Sequence, residues 1–145
     1  MTNFRVHAYY SVQHADEPMA VRSPEGVDSL IDALSSGKGM GIMAVLHSQQ
    51  RKLLPSGFPD HEFLVGADGG RKVGVVSFID VKNYLSIDST NTFGGEVVYH
   101  VADNPREFPA TAEIPLALVR EAVKEFLLSG GRRPTCIEWQ EEPGV

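Results

Sequence analysis

Two runs of apolar and β-branched residues, EFLVGA (Glu62 to Ala67) and KVGVVSFID (Lys72 to Asp80), are separated by only the four residues DGGR. So short a connection returns the chain beside itself, because parallel neighbours need a crossover of a dozen residues or more. The pair predicts a β-hairpin, and the rest of the chain must be accommodated around it. Phe4 to Val12 alternates as an opening strand, with Phe4, Val6, Ala8 and Tyr10 on one face. The glycine-bounded apolar run Met40 to Ser48 suits a central strand. GEVVYHVA (Gly95 to Ala102) and TCIEWQ (Thr135 to Gln140) supply two more.

Two segments carry helical spacing instead. In SPEG, Ser23 is placed to cap a helix, Pro24 to open it and Glu25 to sit near its positive end. Val27, Leu30, Ile31 and Leu34 then form a stripe, and Gly37 stands where the helix stops. Ile114 is held extended by the following proline. Pro115 opens a second helix with Leu116, Val119, Val123, Phe126 and Leu127 inward and Arg120, Glu121, Lys124 and Glu125 outward. Ser129, Gly130 and Gly131 end it. HADEPMAV, QQRKLLPSGFPDH, DSTNTFG and NPREFPATAE read as loops or irregular chain. The expectation is an α+β fold: a mainly antiparallel sheet of about six strands with two helices packed on it, residues 1–145 forming a single domain.

At 145 residues the chain is long enough to bury a core without staples, and its 42% hydrophobic and 22% charged composition is that of a globular protein. It holds no apolar run of membrane-spanning length and no secretory signal pattern, which predicts a cytoplasmic protein. One cysteine excludes an intramolecular disulfide, and no Cys/His spacing fits zinc. The formal charge is −6, with residues 61–145 carrying thirteen acidic and eight basic side chains. An acidic surface repels nucleic acid and favours a basic partner, and it also keeps a chain soluble.

The residues with chemical potential have plain structural readings beside them. Cys136 is a candidate nucleophile with histidine as base, but a mid-strand cysteine is ordinarily an apolar filler. Arg132 and Arg133 near it complement the negative end of the second helix. His7, His14, His47, His61 and His100 are scattered with no metal-ligand spacing. The glycines of SSGKGMG and ADGGRKVG fit helix-stop and hairpin positions better than a phosphate cradle. Carboxylates are numerous in the strands and their connecting loops, so a shared acidic surface is plausible. On an alternating final strand Trp139 would face the helices, leaving Cys136, Glu138 and Gln140 on the other side.

The succession EFPATAEIP, LALVREAVKEFLLSGG and RRPTCIEW resembles the C-terminal signature of the first immunity-protein family of bacterial polymorphic toxin systems. Glu113, Ile114, Pro115, Phe126, Gly131, Arg133, Pro134, Thr135 and Trp139 stand at its positions. The GGRRPTC form resembles actinobacterial members. The resemblance implies a non-enzymatic antidote, without metal or cofactor, that binds a cognate toxin domain and occludes its active site. Such toxins are often zinc-dependent nucleic-acid deaminases, including enzymes acting on cytosine in DNA. The partner is then a basic toxin, with no direct contact to nucleic acid and none to membrane. Charge, loop location and aromatic character select Asp60, Glu62, Asp68, Asp80, Asp88, Glu138 and Glu141 as toxin-binding carboxylates, with Tyr84, Phe93 and Trp139 as aromatic anchors. The rival reading is a small cytoplasmic ligand-binding or Cys/His enzyme domain.

Overall fold

The computed structural model describes residues 4–37, 39–90 and 94–141. Along the chain run β1 (Val6–Tyr9), β2 (Met19–Val21), α1 (Pro24–Ser35), β3 (Gly41–Ser48), β4 (Glu62–Asp68), β5 (Val73–Ile79) and β6 (Asn83–Ser86). They are followed by β7 (Glu96–Val101), β8 (Asn104–Pro109), β9 (Ile114–Pro115), α2 (Leu116–Leu128) and β10 (Trp139–Glu141). The fold is α+β, as expected, and the sheet is larger than about six strands: ten are joined in the order β10-β6-β5-β4-β3-β1-β2, with β7, β8 and β9 off that path.

The expected hairpin, β4 with β5, lies in the middle, paired from Glu62↔Ile79 to Asp68↔Val73. Both of its flanks are divided between two neighbours. β3 pairs with β1 over Val45 to Ser48 and, at Gly41 and Ile42, with β7 in the one parallel pairing among the described residues. β5 pairs with β6 over Ser77 to Ile79 and with β9 at Val73 and Gly74.

Alternation along the central strands separates two cores. Ala44, Leu46, Phe63, Val65, Val76 and Phe78 meet the helices, whose predicted stripes are buried except for Leu116, which is only partly covered. Met43, Leu64, Val75 and Leu85 point to the other face and meet Tyr99 and Phe108 of the β7–β8 hairpin. The Tyr99 ring lies so close to the sheet that a Cβ at Gly41 would be 2.5 Å from it, which is why β3 begins with glycine. Between the helices, Arg120 pairs with Asp28 at 3.0 Å and with Asp32 at 2.6 Å, and Lys124 reaches Asp28 at 3.1 Å. No helix among the described residues is long and apolar enough to cross a membrane.

Four local expectations are corrected. Asn104–Pro109, read as irregular, is β8; its prolines are tolerated because β8 lies at an edge, and Ala102 takes a positive φ of 52° in the turn before it. Met19–Val21, read as loop, is the edge strand β2. Pro115 precedes the helix in extended conformation, and α2 opens at Leu116. The run TCIEWQ is a strand only from Trp139 onward. Before it, Thr135 and Cys136 are held in a bend by Glu125 of α2, whose carboxylate accepts from the Thr135 N–H at 2.7 Å, the Thr135 hydroxyl at 2.9 Å and the Cys136 N–H at 3.1 Å. Burial alone raises the Glu125 carboxyl, but these bonds outweigh it and hold it below its ordinary value.

Two polar clusters lock the ends of the sheet. At the β4–β5 turn, Arg71 grips Glu113 with two bonds of 2.9 and 2.6 Å, and its Nε donates to Asp68 at 2.8 Å. The Tyr99 hydroxyl donates to the same Glu113 carboxylate at 2.7 Å, and burial, then this carboxylate, push the phenol up. At the opposite end the Nε2 of buried His61 accepts the Ser48 N–H at 2.8 Å, so its Nδ1 carries the proton and donates to Asp60 at 2.9 Å. Burial raises the Asp60 carboxyl, and the bonds from His61 and Arg51 outweigh it and lower it.

Truncating Glu113 to alanine leaves the Arg71 fork and the Tyr99 hydroxyl without their shared acceptor. The expected loss is about 2 kcal/mol, less than for a fully buried pair because Arg71 is half in water, and Tyr99→Phe costs about 1 kcal/mol. Urea denaturation midpoints measure both. The histidines set the pH response. Burial lowers His61 below its ordinary 6.5, and it does the same to neighbouring His47. The unfolded chain therefore binds protons that the folded chain refuses, so the stability these rings contribute is complete above about 6.5 and is lost as pH falls below it. Urea midpoints are expected to be flat from about pH 8 to 7 and to decline toward about pH 5, with His61→Gln giving a shallower decline.

Candidate functional site

The helix stop, the bend and the last strand build an indented side of the molecule. Gly130 and Gly131 adopt φ of 76° and 96°, and the Gly131 N–H returns to the Phe126 carbonyl at 3.0 Å. No side chain fits at Gly131, where a Cβ would be 2.6 Å from that of Ser48. The Gly131 carbonyl accepts from Arg51 at 3.0 Å. Arg133 does not turn back to the helix end as expected; its guanidinium stacks 3.8 Å from the centre of the Tyr84 ring. Trp139 is half-buried beside the helix-face core, with its indole N–H on the Pro134 carbonyl at 2.7 Å.

Shallow grooves lie on both sides of this segment. One of about 540 Å³ runs between residues 135–138, residues 87–90 and the start of α2, including Asp88, Thr90, Leu118, Cys136 and Glu138. A second, of about 350 Å³, holds Asp80, Tyr84, Arg133 and Trp139. The two share Thr135 and Ile137. Beyond Asp88, Ile114 and Pro115 the first adjoins a third groove of about 600 Å³ that includes Glu96. Together they form a continuous band.

The structure thus brings together Asp80, Tyr84, Asp88, Glu138 and Trp139. Asp88 accepts from the Thr90 hydroxyl at 2.6 Å and the Thr90 N–H at 2.9 Å, and these bonds hold its carboxyl below the ordinary value. Asp80 is 3.7 Å from Arg51. Other candidates stand elsewhere. Asp60 is taken up by Arg51 and His61, and buried Asp68 by Arg71. Glu62 is exposed at the start of β4, and Glu141 pairs with Lys82 on the far edge at 3.1 Å. Phe93 lies outside the described residues.

Sequence reasoning missed the Arg133 wall, although Arg133 belongs to the signature, and it missed Thr90 and Leu118, which only the tertiary fold carries to the groove. Glu96, counted among the carboxylates but not selected, lines the third groove, and its carboxyl is raised by a hydrogen bond and repulsion from Glu107 across the β7–β8 hairpin. Cys136 lies in the first groove, and among the described residues no histidine lines it. Burial, then the Glu125 charge, push the thiol up to about 11, the reverse of an activated nucleophile. Among the described residues no group of His, Cys, Asp and Glu is arranged to hold a metal ion.

The family model described as Immunity protein Imm1 matches residues 15–141, a span that takes in every element after β1 and the whole grooved band. A search of curated proteins found no match to the chain. The match extends well beyond the C-terminal signature: the chain belongs to the Imm1 immunity-protein family.

Proposed function

We propose that the chain is the non-enzymatic antidote to a nucleic-acid deaminase toxin, and that it works in the cytoplasm by laying its grooved band over the toxin's active site. Membership of an immunity-protein family supports the antidote; the deaminase target follows from the resemblance of the signature. The observation that carries the mode of action is the clustering of Asp80, Asp88 and Glu138 with Tyr84 and Trp139 along one continuous indented band. A deaminase must hold a polyanionic strand and a flipped base, so its working face is basic. Carboxylates presented there occupy the positions of phosphates, and the chain's net charge of −6 draws the partners together. Asp88 and Glu138 stand first in this reading, Asp80 and the two aromatics next, and Glu62 and Glu141 at the periphery. Asp60 and Asp68 act through the fold.

The test is to mix the purified chain with the cognate toxin domain and follow deamination. Stoichiometric chain is expected to abolish it, and undiminished activity in excess chain sinks the proposal. The double variant Asp88→Asn/Glu138→Gln is expected to associate about tenfold more slowly and with a weaker salt dependence, measured by stopped flow. Cys136 provides an independent check. Its raised pKa makes alkylation at neutral pH about tenfold slower than for a free thiol, the smaller thiolate fraction being partly offset by greater nucleophilicity. Once attached, a bulky maleimide in the groove is expected to block toxin binding, which a titration against labelled and unlabelled chain reads directly.

A further inference from the structure

The loop between β3 and β4 carries large apolar side chains that the fold does not use. Leu53, Leu54 and Phe58 are 63%, 47% and 70% exposed, and Val81, in the β5–β6 turn at the same end of the sheet, is 95% exposed. The loop is nevertheless ordered. Leu53 bridges to Pro59, the Leu54 N–H donates to the Phe58 carbonyl at 2.8 Å, and the Gly57 N–H donates to the Leu54 carbonyl at 2.8 Å. Gly57 supplies the φ of 88° that the tip requires. Arg51 fastens the base to Asp60, to Asp80 of the neighbouring turn and to the Gly131 carbonyl. An apolar tip held rigid in water gains nothing for the fold, and such clusters mark sites of association.

The surroundings say what kind of surface it meets. Arg51, Lys52, Lys82, Arg132 and Arg133 lie around this end with the carboxylates Asp60, Glu62, Asp80 and Glu141, of which Asp60 and Asp80 pair with Arg51 and Glu141 with Lys82, so the surroundings of the tip are close to neutral with a slight cationic excess on an acidic protein. The base of the loop adjoins the grooved band: Asp80 and Arg133 line both the 350 Å³ groove and a further one of about 670 Å³ that includes Gln50 and Arg51. We propose that the Leu53–Phe58 tip, with Val81, is a second contact on the same toxin molecule, docking into an apolar hollow with a neutral or acidic rim beside the basic active face. This rests on the immunity reading above. The two contacts divide the work: the carboxylate band governs capture, and the tip, by excluding water from apolar surface, governs release.

The experiment compares Leu54→Ser/Phe58→Ser with Asp88→Asn/Glu138→Gln for binding to the cognate toxin domain. The exposed tip variant is expected to keep the wild-type urea midpoint while dissociating at least about tenfold faster with unchanged association. Hydrogen exchange on the wild-type complex is expected to protect the amides of residues 52–59. Wild-type chain that fails to bind the toxin overturns both readings. Wild-type binding with unchanged dissociation of the tip variant overturns this one alone. A wild-type dimer that the tip variant converts to monomer without loss of toxin affinity assigns the tip to a second copy of the chain, and likewise overturns it.

Discussion

The bidentate grip of Arg71 on Glu113 fastens together parts of the chain that are distant in sequence. Glu113 is nearly buried, so its charge is tolerable only because a guanidinium and a phenol supply three hydrogen bonds to it. Arg71 belongs to the central hairpin turn, Tyr99 to the hairpin covering the second face, and Glu113 to the lead-in of α2. One carboxylate therefore sets the position of three layers. The next two residues, Ile114 and Pro115, pair with β5 as β9 and form the wall shared by two of the grooves. The shape of the grooved band is in this sense fixed from inside the molecule.

How much of this could be read from the sequence depended on whether a local pattern decided the outcome. The helix α1 was legible from Ser23 to Leu34 because the cap and stripe are local; the Ser23 hydroxyl accepts from the Gly26 N–H at 3.1 Å as such a cap should. The central hairpin was legible because its connection is too short for anything else. Strands β2, β6, β8 and β9 were not, since each is six residues or fewer, too short for alternation to decide, β8 carries two prolines and β9 is held by pairing with distant β5. Gly37 shows a subtler case. Its place at the helix end was foreseen, but what requires a glycine there is Ile42, whose Cγ1 would be 2.7 Å from any Cβ.

The site was less legible than the fold, and for a physical reason. Charge and exposure can be guessed residue by residue, but whether a carboxylate is free depends on which cation the fold brings to it. Asp60 and Asp68 looked like Asp88 in sequence, yet they support Arg51 and Arg71 while Asp88 is held toward the groove by Thr90. The alternation argument that put Cys136 and Glu138 on a strand face failed because Glu125 accepts two backbone N–H bonds that compete with the ladder and a third from the Thr135 hydroxyl. Those bonds create the bend, and the bend separates the grooves.

The divided flanks of the sheet bear on how this protein behaves when alone. A long unpaired strand edge is a template on which further copies can add. Here the path ends in strands of three residues at both β2 and β10, and the outer strand β8 carries Pro105 and Pro109. Among the described residues the sheet is thus closed off against its own kind by brevity at β2, β9 and β10 and by missing donors at β8. An antidote has to be present before its toxin is, and a sheet without a usable border can accumulate while it waits.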